Sequence, residues 1–455
     1  MASTSTEASP LATISNAESS SSSEPKSSNK PRARRRASGL GGELWGDTGA
    51  PAFATLDLWR EGETKPRHSK SSKKRSPKQR NQQSWLQEYK NLALQHTWLT
   101  PLILLLTILT LYIVNPQPSN RLHKLLFLSY ALPSTPGTPT QYGKGPYDLL
   151  FVAFYVLLLT FTRESIMQLL LRPLALHFHI SSRSKQLRFM EQSYTALYFG
   201  LLGPIGLSIM SRTPVWYFNI AGMYADFPHR TMSGEFKAYY LFQAAYWAQQ
   251  AIVIGLVLEK PRKDFWQLVG HHIVTLVLIA ASYRFHFTYM GLGVFVTHDL
   301  SDCFFAISKT LHYINSRFTA PYFILFIGAW AYLRHYLNLR ILLSEFYEFK
   351  TVGPYELDWA TEQYKCELSH WISTVLLGGL QMLNLYWGFL ILRVAWRFGV
   401  KGELADERSE DEDEEEKEGE GVESAARMVA VEARRDERRE VPGMRRGAMP
   451  KRRAR

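Results

Sequence analysis

Long apolar runs, parted by short polar stretches, fill the centre of the chain near residues 97–115, 147–166, 191–211, 238–258, 265–283, 290–312, 320–343 and 370–395. A helix needs about 20 apolar residues to cross a bilayer core. Each run is therefore expected to span, and to do so as a helix, because lipid offers no partner for backbone N–H and C=O groups. The pattern predicts an all-α polytopic membrane protein of about eight transmembrane helices. After the second run, "SIMQLLLRPLALHF" either prolongs the helix or turns along the interface, and Pro173 favours a break. Before the first run, "WLQEYKNLAL" (85–94) has the make-up of an interfacial segment anchored by Trp85 and Tyr89.

The flanks change the picture. The 455 residues carry a formal charge of +12, but residues 1–95 are rich in Ser, Lys, Arg and Pro, and residues 401–455 are mostly charged. Stretches such as "PRARRRAS" and "DERSEDEDEEEKEGE" bury too little apolar surface to fold, so both ends read as disordered tails. Ser38 follows Arg35 and Arg36, and Ser409 precedes acidic residues, so both suit protein kinases. The start, "MASTSTEASP", lacks a basic region followed by an apolar core, and no secretory signal is expected. The two cysteines, Cys303 and Cys366, suggest no disulfide framework.

Charge also suggests orientation. The short loops after the second, fourth and sixth runs hold Arg172, Arg183, Lys185 and Arg188, then Lys260, Arg262 and Lys263, then Lys309 and Arg317. The basic N-terminal tail agrees with them. The positive-inside rule then puts these loops and both tails in the cytosol, with an even number of spans.

Ionisable residues at membrane depth are costly, so they mark function by default. "HHIVTLVLIAASY" (271–283) and "HDLSDCFFAISK" (298–309) place His271, His272, Asp299 and Asp302 inside apolar runs. His271, Thr275 and Ser282 fall on one helical stripe, while His272 points about 100° away. Asp299 and Asp302 share a face that Lys309 continues toward the cytosolic end. His272 lies nine residues from Lys263, or about 13 Å of helix, and Asp302 seven from Lys309, or about 10 Å. The four groups can therefore meet at similar depth below a basic entrance. Imidazole is a base and nucleophile near neutral pH, and a carboxylate can orient it. Adjacent histidines on a regular helix diverge too far to chelate one metal readily. No set of spaced HxxxH-type boxes is present, and His177 and His179 form an isolated pair expected at the interface. A buried His/Asp network bracing the helices is the structural alternative.

The run "RKDFWQLVGHHIVTLVLIAASYRFHFTYMGLGVFVTHDLSDCFFAISKTLHYIN" (262–315) closely resembles the Lag motif of ceramide synthases. "RESIMQ", "YLRHY" and "LQMLNLYWGFLI" agree, and the resemblance covers about 150–398. Gln267 departs from the Glu of many relatives, and no homeobox-like insert lies between 85 and 190, so the chain resembles fungal members of the longevity-assurance group. The resemblance implies a TLC (TRAM–Lag–CLN) domain over 186–400, preceded by the first transmembrane helices and their loops over 96–185. It also implies N-acylation of a sphingoid base by acyl-CoA at the endoplasmic reticulum membrane. His271, His272, Asp299 and Asp302 would then be catalytic, with Lys309, Ser282 and Tyr283 as substrate contacts. The acyl group would pass either directly to the amine or by way of an acyl-imidazole. Acyl-CoA is a co-substrate, with no cofactor or metal and no nucleic-acid partner expected. Membrane lipids, a small single-span subunit and a second homologous synthase are the expected neighbours. A non-catalytic TLC-domain lipid-handling or translocation-associated protein is the alternative. A transporter would need charged groups reaching both faces, whereas this cluster lies toward the cytosolic half.

Overall fold

A computed structural model of the chain describes residues 85–134, 136–137, 139–256 and 264–401. The expectations for Ser38, Ser409, the bulk of both tails and the basic loop at 260–263 fall outside the described residues. An amphipathic helix, α1 (Trp85–Gln95), leads into α2 (Leu99–Val114). Then follow α3 (Asp148–Ser165), α4 (Arg183–Met210), α5 (Gly234–Gly255), α6 (Phe265–Arg284) and α7 (Thr288–Tyr313). The last two are α8 (Thr319–Trp330) and α9 (Glu367–Lys401). Ser182 caps α4 and Ser233 caps α5, each hydroxyl accepting from a backbone N–H of the first turn.

Two of these helices continue through a wide π-turn. α3 passes through Ile166–Leu171 into Arg172–His177, and α8 through Ala331–Leu337 into Asn338–Tyr347. Pro173 therefore ends nothing. It sits in the first turn of Arg172–His177, directly after the wide turn, where a missing N–H costs least. Among the described residues, the hydropathy rule is met by five stretches: Asp148–His177, Arg183–Met210, Phe265–Arg284, Thr288–Tyr313 and Glu367–Val400. α2 is apolar but shorter. The expected runs at 238–258 and 320–343 are helical yet fall outside those five. The reason lies in buried polar groups: α5 carries Lys237, Gln243 and Gln249, and the α8 continuation carries Arg334, Asn338 and Glu345. These side chains face protein, so hydropathy along the chain understates how apolar the outer face is.

α4 and α7 form the most extensive pair in the fold. Small residues let them approach: a Cβ on Gly203 would lie 2.9 Å from Leu300 Cδ2, and one on Gly206 3.0 Å from Val296 Cγ2. α5, α9 and the α8 continuation complete the wall around α6 and α7.

The loops at the end away from the basic connections are tied together. A two-residue ladder pairs Gln141–Tyr142 with Met232–Ser233. Lys237 pairs with Asp148 at 2.7 Å and donates to the carbonyls of Ser129 and Gly143 at 2.9 and 2.7 Å. Lys144 donates to the His229 carbonyl at 2.7 Å and to His286 Nδ1 at 3.0 Å, while His286 Nε2 lies 3.4 Å from Glu362. Burial lowers the Lys144 ammonium to about 7 and the His286 imidazole to about 3.

Candidate active site

His271 and His272 occupy the second turn of α6 and are both buried. The His271 ring is held edge-on by Trp247 of α5 at 5.5 Å and by Trp387 of α9 at 5.3 Å. The two imidazole centroids are 5.5 Å apart and nearly perpendicular, as their divergence on a helix requires. His272 Nδ1 lies 2.9 Å from the Leu268 carbonyl. A carbonyl only accepts, so Nδ1 carries the proton and Nε2 keeps its lone pair. His271 Nδ1 and Thr275 Oγ1 are buried without a hydrogen-bond partner.

His271 opens onto a cavity of about 60 Å³ whose wall includes Tyr240, Trp247, Thr275, His298 and Leu380. A second cavity, of about 180 Å³, shares Leu278, Ser282, Met290 and Leu377 with the first. It ends beneath Leu357, Trp359 and Tyr364 of the loop before α9. Together they form an apolar path along α6 from His271 to Phe285, or roughly 21 Å at about 1.5 Å per residue. A larger groove of about 1000 Å³ runs between α3, α4 and α5, and none of the four signature residues lines it.

The carboxylates are brought near the histidines but bond elsewhere. Asp299 Oδ2 accepts from Tyr239 at 3.0 Å and from Gln243, and Oδ1 has no hydrogen-bond partner. Asp302 pairs with Arg334. Arg334 Nε also donates to Ser301 at 2.6 Å, and its Nη1 to Asn384 Oδ1 at 2.9 Å. Its guanidinium lies 4.7 Å over the Trp330 ring. Among the described residues, no hydrogen bond joins Asp299 or Asp302 to His271 or His272. Of the expected substrate contacts, Ser282 lines both cavities, while Lys309 sits over the Phe305 ring. Tyr283 instead donates to Asp148 at 2.8 Å, among the loops at the far end.

The sequence reading left out His298, Arg334, Asn384, Tyr239, Gln243 and Trp247. Arg334 was detectable, since a cation in an apolar run carries the same warning as a histidine. His298, inside the run at 290–312, carried that warning too, whereas Asn384, Tyr239, Gln243 and Trp247 had no such signal. Among the described residues, no three His, Cys, Asp or Glu side chains gather as a metal-holding group.

The family model for the TLC domain matches residues 188–393, which hold all four signature residues. The chain is 48% identical over 317 residues to sphingosine N-acyltransferase lac1 of Schizosaccharomyces pombe, covering 70% of this chain and 82% of that protein. It is 43% identical over 383 residues to ceramide synthase LAG1 of Saccharomyces cerevisiae, covering 83% and 92%. Ceramide synthase hyl-1 of Caenorhabditis elegans is 25% identical over 236 residues, covering 50% and 62%.

Proposed function

The chain belongs to the ceramide synthases of the longevity-assurance family, and from that premise we propose that it transfers a fatty acyl group from acyl-CoA to the amine of a sphingoid base. One observation carries the reading at atomic scale: buried His271, with His272 beside it, stands at the head of an apolar path of about 21 Å along α6. That path suits an acyl chain whose thioester rests at the histidines. The CoA head, a polyanion, would lie at the end where α4 begins with Arg183 and Lys185 and where Lys309 and Arg317 flank the α7–α8 connection.

The chemistry needs a nitrogen nucleophile and a proton acceptor. His272 Nε2 has its lone pair set by the Nδ1 contact to Leu268. His271 or His272 takes the proton from the substrate ammonium, or first carries the acyl group itself. By either route the amide N–C bond forms and the thioester C–S bond breaks; of the two protons the ammonium gives up, one ends on the CoA thiol and the other passes to solvent. The unpartnered oxygen of Asp299 would attract the incoming ammonium. We place the enzyme in the endoplasmic reticulum membrane with both tails cytosolic, beside a small single-span subunit or a second synthase.

The test is an assay of the purified full-length protein in lipid nanodiscs, with sphinganine or phytosphingosine and a series of acyl-CoAs. Ceramide should appear by mass spectrometry, and His271→Ala and His272→Ala should each lower turnover at least ~10²-fold. Lipid binding without amide formation would favour a lipid-handling role.

A further inference from the structure

The third histidine, His298, and its neighbour Asn384 carry chemistry that the signature residues leave unassigned. His298 Nδ1 lies 2.8 Å from the Val294 carbonyl, so Nδ1 bears the proton and Nε2 is an acceptor. Asn384 Nδ2 faces that Nε2 at 3.4 Å. The amide cannot be turned the other way round, because its Oδ1 receives Arg334 Nη1, and a guanidinium only donates. Arg334 is itself held by Ser301, Asp302 and the Trp330 ring. The Asn384 N–H groups are therefore aimed from both ends, with a fixed cation behind them.

The position on α9 is equally specific. Leu377, Leu380 and Asn384 recur at helical spacing on one face. Leu377 and Leu380 line the cavity, and Trp387, three residues after Asn384, packs on the His271 ring. Asn384 is buried one turn beyond Leu380 on α9, and it reaches the cavity wall through His298, which lines it.

Resting on the acyl-transfer reading above, we propose that Asn384 donates the hydrogen bond that stabilises the oxyanion formed at the thioester carbonyl, with Arg334 and His298 as its positioning residues. When nitrogen attacks, a new N–C bond forms and the carbonyl π pair moves onto oxygen. That anion meets an N–H polarised by Arg334. The C=O bond then re-forms, the C–S bond breaks, and the thiolate leaves with the proton given up by the amine. Donors set in place before reaction are worth about 10²–10³-fold in turnover.

Asn384→Asp decides the matter. It keeps the shape and an oxygen for Arg334 but has no N–H. The full-length enzyme should keep its melting temperature and its affinity for a thioether analogue of acyl-CoA, which has no carbonyl to polarise. Its kcat should fall at least ~10²-fold. His298→Phe keeps a ring but loses the acceptor; it should lower kcat less. Combined with Asn384→Asp it should cost nothing further, because the aim of a missing donor cannot matter. Wild-type kcat in Asn384→Asp, or additive losses in the double variant, would overturn the proposal. If Asn384→Asp does not fold, Asn384→Gln, which retains an N–H, must keep more turnover than Asn384→Leu; equal turnover would also overturn it. Absence of ceramide from the wild-type enzyme is a different result, and would instead remove the acyl-transfer reading.

Discussion

Asp299 and Asp302 stand one turn apart on α7 but answer to different neighbours. Asp302 is the counter-charge of Arg334. Asp302→Asn leaves a buried guanidinium uncompensated, a loss of about 3–5 kcal/mol for such pairs. Its melting temperature in detergent should drop clearly, with or without substrate. Asp299 is held by Tyr239 and Gln243 through one oxygen and leaves the other without a partner. Asp299→Asn can keep both bonds through its amide oxygen, placing Nδ2 where Oδ1 now stands. It should therefore melt like the wild type. A charge-assisted contact to an ammonium is worth about 1.5–3 kcal/mol, so KM for sphinganine should rise at least about tenfold. KM for acyl-CoA should stay put. Unchanged KM values for both substrates would leave Asp299 as a brace between α5 and α7. The sequence marked both aspartates because charge in an apolar run is visible. It did not show their partners, because those depend on how α5 and α8 are rotated, which no local pattern encodes.

The loop layer makes its own prediction. His286 is pushed down to about 3 by burial and by the Lys144 cation, and His229 to about 4 chiefly by burial, against an ordinary value of 6.5. Below pH 6.5 the unfolded chain takes up protons that the folded loops refuse until about pH 4 or 3. The unfolded state then binds more protons, so stability falls as pH falls through that window. Melting temperature should decrease from pH 6.5 to 4.5. His286→Phe keeps a ring against Tyr364 and should flatten part of that slope; an unaltered slope would assign the titration to other groups. The same scale shows what was legible in the chain. Helices α3, α4, α6, α7 and α9 follow their apolar runs, because each run alone satisfies the length a bilayer demands, and α2 follows a shorter one. The passage through Pro173 was not legible, since it depends on a wide turn that the pattern does not announce. Nor was the loop layer, whose ties join residues as distant as Lys144 and His286.

At the scale of the whole molecule, one face must receive CoA. A polyanion does not cross the bilayer, so the histidines have to be reached from the side where the acyl donor is dissolved. His271 lies six residues into α6, or about 9 Å below its first residue. The basic connections sit at that same end of the bundle. The positive-inside rule weighs the densely basic short loops, and these adjoin the start of α6, so we expect the α6 start, and with it both tails, to face the cytosol. Protease treatment of sealed microsomes should then remove tags from both ends of the chain, while a tag inserted near Gly137 stays protected until detergent is added. Among the described residues, the groups that line the cavity all lie between Tyr240 and Leu380, so a chain of residues 85–400 should keep its specific activity when inserted the same way. A protected C-terminal tag beside an accessible N-terminal one would mean an odd number of spans. A protected tag at both ends would put the histidines nearer the lumenal face, where acyl-CoA cannot reach them, and the acyl-transfer geometry would fail with it.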